Sequence, residues 1–431
     1  MTHHDLHGHP LSGANAAAVD HYERGAAQLR CYIGDPLADA QAAIAQAPAM
    51  TMAHVLAAYL NVLGTEPAGW PAARALHAGA AALPATEREA LHVQAVGHLT
   101  HGRWHAAGRV LEDLSARHPH DLLALQAGHQ IDFFTGASRM LRDRMARAES
   151  HWRDGMPGHH AVLSMLAFGL EECADYARAE AIGRRSVELE PRDGWGWHAV
   201  AHVLEMQDRR RDGVAWLATR SADWSEGSFL AIHNWWHLVL FHLGLDQIDE
   251  VLALVDQRVL GTASPVVLDM VDGSAILWRL QLRGIAVGTR WQGLAERWAA
   301  ATVDSTYAFN DMHAMMAFVS AGSTADADRL LQAQQRALAN DDDNRGFLRD
   351  VGLRATQAIH DFANGRYADA AEQLRAVRPV AQRFGGSHAQ RDVIDLTLIE
   401  AAVRAGESAL ADALRRERAF VRGPDGGQTA C

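Results

Sequence analysis

"LHVQAVGHLTHGRWHAAGRVLEDLSARHP", Leu91 to Pro119, decides the fold. Beyond Gly102, residues Trp104, Ala107, Leu111 and Leu114 recur at the three- and four-residue spacing of one helix face. Ala95 sits twelve residues before Ala107, on the other side of the glycine. Small residues at matched depth let two antiparallel helices approach closely, the glycine permits the tight turn between them, and Pro119 ends the second helix. The stretch predicts a helix–turn–helix hairpin.

The same offsets return elsewhere. In "MLAFGLEECADYARAEAIGRRSVELEP", Ala167 precedes Ala179 by twelve residues and Pro191 closes the unit. In "FANGRYADAAEQLRAV", Gly365, Tyr367, Ala370, Leu374 and Val377 repeat the second half, with Ala358 twelve residues before Ala370. Ala201 stands to Gly213 in the same relation across "DRRRDG". Weaker units are expected at Gly136, Gly244, Gly322 and Gly406, with their register open by a residue or two. A unit of about 34 residues is the tetratricopeptide period. The expected fold is therefore an all-α, tetratricopeptide-repeat-like α-solenoid of roughly ten degenerate helical hairpins.

Composition agrees with a folded chain: of 431 residues, 48% are hydrophobic and 21% charged, without low-complexity blocks. The net charge of −12 carries no basic footprint for nucleic acid or an anionic membrane surface. No apolar run approaches a membrane span and the start lacks a signal-segment pattern, so a cytoplasmic protein is expected. Cys31, Cys173 and Cys431 are odd in number and far apart, which argues for reduced thiols. All 40 basic residues are Arg, because the chain has no Lys. That removes Schiff-base and pyridoxal phosphate chemistry and a P-loop nucleotide site. His is abundant, at 25 residues.

Residues 1–14, beginning "MTHHDLHGHP", are expected as a polar His-rich segment, with His3 and His4 at a frayed end. Continuous stacking is expected over 15–420, with a soft break near 262, where "GTASP" interrupts the helical pattern. Residues 421–431, within "VRGPDGGQTAC", are expected as a flexible tail.

Five longer stretches carry a more specific likeness. "HGHPLSGANAAAVDHYERGAAQL" (His7 to Leu29), "GWGWHAVAHVLEMQ" (Gly194 to Gln207), "HNWWHLVLFHL" (His233 to Leu243), "FNDMHAMMAFVSAG" (Phe309 to Gly322) and "GGSHAQRDV" (Gly385 to Val393) span almost the whole chain. Together they resemble the tetratricopeptide repeat protein 38 family. That resemblance implies a full-length α-solenoid of degenerate repeats. It brings no set of catalytic residues.

The chemistry-bearing residues concentrate on two of these stretches. His198, His202 and Glu205, spaced by four and seven, fall within roughly 60° of one another on one helix face. His233 and His237 form a second i, i+4 pair, 35 residues after the first. Equivalent helices of adjacent repeats lie about 8–10 Å apart, so both pairs should face the same region. His242, nine residues past His233, points to the opposite side.

Three readings compete. In the leading one the protein is a binding or scaffold protein whose concave pocket recognises a small molecule or peptide. His198, His202, Glu205, His233, Asn234, His237, Trp195 and Trp236 would line that pocket, with Trp197 and Trp235 beside them. In the second, the four histidines hold Zn²⁺ or another divalent metal and Glu205 is the general base of a metal-assisted hydrolase, although HExxH is absent. In the third, imidazoles and indoles fill a helical core. His129, His159 and His160 are further candidates for the pocket, and Met312, Met315 and Met316 read as core filling. His313 and Asp311, two residues apart, should not face each other. A homodimer through a terminal repeat is compatible with the pattern.

Overall fold

The structure, a computed structural model, describes residues 2–301 and 304–422. The chain is all-α, a run of helical hairpins in the solenoid manner, with one short strand pairing near its start. The hairpin read from the opening stretch is present as Glu87–Leu99 packed on Trp104–Arg117. His159–Glu171 packs on Tyr176–Leu189, and Leu353–Ala363 on Tyr367–Val377, in the same way.

The small-residue pairs sit where close approach requires them. Ala95 and Ala107, Ala167 and Ala179, and Ala358 and Ala370 are all fully buried. Gly213 cannot be enlarged, since an added Cβ would lie 2.4 Å from the Phe241 ring.

The turns share one backbone solution. A residue in the left-handed region stands two positions before each second helix: Gly102, Gly136, Gly322, Gly365 and Gly406, but also Ala174, Asp208 and Asp246. The following residue donates its N–H five residues back, as Arg103 does to His98 O (3.0 Å), Asp175 to Leu170 O (2.9 Å) and Arg366 to Asp361 O (2.9 Å). This closes the orphan carbonyls of the first helix. The expected weak unit at Gly244 has its turn at Asp246, because that glycine still belongs to the Ala231–Gly244 helix.

The two helices of a hairpin differ in burial. Trp104–Arg117 buries one stripe, with Trp104, Ala107, Leu111 and Leu114 inward. His159–Glu171 buries every residue except His160. A helix enclosed on all sides must give each polar group a specific partner.

The described residues form two compact units. The first comprises 2–133, 138–200 and 220–234, and the second 134–137, 201–219, 235–301 and 304–422. The helices Gly194–Met206 and Ala231–Gly244 are each continuous and contribute residues to both. The interruption near 262 follows a π-turn at Val255–Val259 and lies inside the second unit. Of the tail expected over 421–431, Val421 ends the helix Ser408–Val421 and Arg422 is buried in ion pairs, while 423–431, with Cys431, lie outside the described residues.

The start is not frayed. His3 and His4 pair with Leu11 and Pro10 in a short antiparallel hairpin, with Leu11 buried. The Asp5 carboxylate accepts from the backbone N–H groups of His7 (3.0 Å) and His9 (2.8 Å), and Glu89 accepts from the Ser12 N–H and hydroxyl. Satisfied backbone groups and a buried apolar anchor order a polar segment that composition alone marks as loose.

Candidate functional site

The site is built on the helices Gly194–Met206 and Ala231–Gly244. Asp193 starts the first: its carboxylate accepts from the N–H groups of Trp195 and Gly196, both at 3.1 Å, as an N-cap does. Its other oxygen accepts from the Ser186 hydroxyl (2.8 Å) and pairs with His160 Nδ1 (2.8 Å). The helix is therefore fixed at its origin by four contacts on one buried side chain. Asn234 links the second helix to it, donating its side-chain amide N–H to Gly194 O at 3.1 Å.

These anchors bring the two histidine pairs together. His233 Nε2 lies 3.0 Å from His198 Nε2. The rings of His202 and His237 are 4.5 Å apart, edge to face. One ring nitrogen from each of the four lies within 4.8 Å of those of the others. His198, His202 and His237 are buried and His233 is half-buried. This grouping is the one expected from the 35-residue spacing.

The donor set fits a metal ion. A tetrahedral Zn²⁺ with ligands at about 2.0–2.1 Å needs imidazole nitrogens about 3.4 Å apart. Here one pair of nitrogens is 3.0 Å apart and all four lie within 4.8 Å of one another. Two neutral imidazoles whose Nε2 atoms face each other at 3.0 Å share one proton between two lone pairs or share a cation.

Glu205 is placed differently. Its carboxylate accepts from Arg422 Nη1 at 2.7 Å, and it does not belong to the group of four. That carboxylate is already engaged by a guanidinium. His242 pairs with Gln247 Oε1 at 2.7 Å on the outer side, as the helix angle predicts.

Aromatic rings pack against the histidines in each unit. In the first, Trp195 lies 4.4 Å from the His198 ring, 4.9 Å from Phe168 and 5.5 Å from Tyr32, on which it stacks. Tyr32 continues to Phe229, 5.5 Å away and half-exposed. His129 contacts Phe168 and Trp195 edge-on, and burial pushes its imidazole down to about 3. In the second unit Trp236 packs on His237 at 5.0 Å. Trp197 donates its indole N–H to Pro191 O and Trp235 lies under Arg258, so both serve the helix surroundings.

Tyr32, Phe168 and Asp193 carry no repeat signal and are not legible as site residues, though an Asp directly before "GWGW" is a helix-start cue. His159 stacks on Trp152 instead, 6.3 Å away. Asp311 accepts from Ser305 and from Gln334 (3.0 Å), while His313 Nδ1 faces Phe309 O at 2.9 Å, so the two have separate partners. Met312, Met315 and Met316 are fully buried core. No helix among the described residues is long and apolar enough to cross a membrane. No protein-family model matches the chain.

Proposed function

We propose that this is a metal-dependent binding protein. Zn²⁺ or a similar divalent ion is held by His198, His202, His233 and His237, and a small molecule is recognised beside it. The observation that carries the reading is the convergence of four imidazole nitrogens within 4.8 Å on two adjoining helices. Imidazole suits Zn²⁺ and its neighbours in the first transition row, and four protein ligands make a closed, holding site. Hydrolysis is the weaker reading, because Arg422 occupies the carboxylate that would have activated water.

His233 is the half-buried member, and it is the ligand a donor atom from outside would displace or join. The ring series Phe229, Tyr32, Trp195 leads from a half-exposed side chain to His198 and offers apolar faces to the body of such a molecule. The resemblance of the hairpin array to tetratricopeptide repeats supports binding as the role.

Elemental analysis of protein purified without a histidine tag tests this. About one equivalent of a transition metal per chain is expected, lost in a His198→Ala, His237→Ala double variant. Less than about a tenth of an equivalent, unchanged after incubation with Zn²⁺ and desalting, would overturn it in favour of four core histidines.

A further inference from the structure

The second unit contains a cavity of about 210 Å³ that the histidine site does not use. Its polar lining is arginine-rich: Arg210, Arg279, Arg283, Arg418 and Arg422 against Glu205, Asp392 and Glu400. The acids are already engaged. Asp392 accepts from Arg418 at 2.7 and 2.9 Å and lies 3.3 Å from Arg422. Burial alone would raise its carboxyl, but Arg422 and Arg418 hold it below the usual range. Glu205 accepts from Arg422, and Glu400 accepts from Arg404, which is outside the lining, at 2.8 Å.

Two cations remain, Arg279 and Arg283, and they lean on carbonyls, as Arg210 does beside its own acid. Arg279 donates to Ala275 O (3.0 Å) and Ala389 O (2.7 Å), and its guanidinium sits 5.4 Å from the Trp236 ring centroid. It is 3% exposed, and among the described residues no carboxylate oxygen comes within ion-pairing distance of it. Burial lowers it to about 10, so it stays charged at neutral pH. Arg283 donates to Leu243 O at 2.7 Å, with Asp246 only at 3.9 Å. Arg210 donates to Gly244 O and pairs with Asp208, which is not in this lining.

A buried cation without a counter-charge costs several kcal/mol, and a fold keeps one where an anion comes to it. Leu240, Leu243, Leu282, Leu396 and Ile399 supply the apolar part of the lining. An adjoining cavity of about 440 Å³ shares Arg210, Arg418 and Arg422 and adds Arg415 and the acid Asp208. Five cations against three acids leave a surplus of two positive charges.

We propose that this cavity binds a small dianion with a short apolar body, a phosphomonoester or a dicarboxylate, with Arg279 and Arg283 as its principal contacts. Guanidinium forks bind both head groups through paired charge-assisted hydrogen bonds. The volume admits a head group and a few further heavy atoms, less than a drug-sized ligand needs.

Calorimetric titration of the full chain with phenyl phosphate, succinate and inorganic phosphate, at constant ionic strength and with a chelator present, tests the site. Saturable one-to-one binding of phenyl phosphate or of succinate is expected, and whichever binds assigns the head group. Arg283→Gln should weaken it about tenfold or more, the loss of one charged hydrogen bond. Arg283 is half-exposed, so this variant folds even if Arg279→Met does not. His198→Ala should leave the binding unchanged, which separates this site from the metal site. No saturable binding of any of the three, or unchanged affinity in Arg283→Gln, would overturn the proposal.

Discussion

Two kinds of histidine occupy this molecule. His92 is backed by a carboxylate: its Nε2 lies 3.0 Å from Asp121, which also accepts from Arg88 at 2.7 Å, and its Nδ1 lies 3.2 Å from the Tyr59 hydroxyl. His160 on Asp193 is built alike. His198 and His202 meet other imidazoles, His233 and His237. A carboxylate holds its histidine by a directed hydrogen bond and makes it a fixed part of the scaffold. Imidazoles turned on one another leave a place for a cation. Histidine count therefore says little about metal binding, and what each ring faces says much.

The largest expected effect tests that division directly. His198→Ala with His237→Ala removes two of four ligands and should lower Zn²⁺ affinity by on the order of a thousandfold or more, given about 10–16 kcal/mol for a full site. His92→Ala should leave the metal content unchanged. Equal metal loss in both would break the comparison.

The converse experiment targets the carboxylate-backed class. Asp121 is buried, and while burial would raise its carboxyl, His92 and Arg88 hold it well below the usual range. Asp121→Asn leaves the Arg88 guanidinium buried without its main partner and should cost about 3–5 kcal/mol in urea unfolding. A cost under about 1 kcal/mol would show that the network is decoration rather than structure.

How much of this could be read beforehand follows contact distance along the chain. The alanine pairs and the two histidine pairs were legible because each obeys a local period, 3.6 residues within a helix or about 34 between repeats. Glu205 misled, since its helix face was right but its partner Arg422 is 217 residues away. Arg279 was illegible for the same reason: Ala389, whose carbonyl it meets, is 110 residues on. Turns at Ala174, Asp208 and Asp246 escaped because glycine is the strongest sequence mark of a left-handed turn; Asp is a weaker one and Ala none. The N-terminal hairpin escaped because its order comes from Glu89 and Arg88, residues of a later helix.

Two further histidines, His129 and His313, both fully buried, sharpen the contrast through pH. Burial pushes His129 down to about 3 and His313 down to about 4, against about 6.5 in the unfolded chain. Between these values the unfolded state binds the proton and the folded state does not, so stability is full above about pH 6.5 and falls as pH falls. Acidification from about pH 7 to 5 should cost about 2 kcal/mol for each. His129→Gln should flatten the slope of stability against pH by one residue's share. An unchanged slope would mean that the ring is protonated in the fold.

The smallest expected effect falls on Asp193, where the classes meet, because it backs His160 and also caps the helix that carries His198 and His202. Asp193→Asn keeps a side-chain oxygen for the Trp195 and Gly196 N–H groups, so the cap survives. It exchanges an anionic acceptor of the Ser186 hydroxyl and of His160 for a neutral amide, a loss of about 1 kcal/mol for charge-assisted bonds that become ordinary ones. Helix register, and with it the approach of the imidazoles, should be kept, and the metal content with it. Asp193→Ala loses the cap as well and should cost about 1–2 kcal/mol more. If Asp193→Asn alone emptied the metal site, the electrostatics of the carboxylate would reach the facing imidazoles, and the two kinds of histidine would be one network.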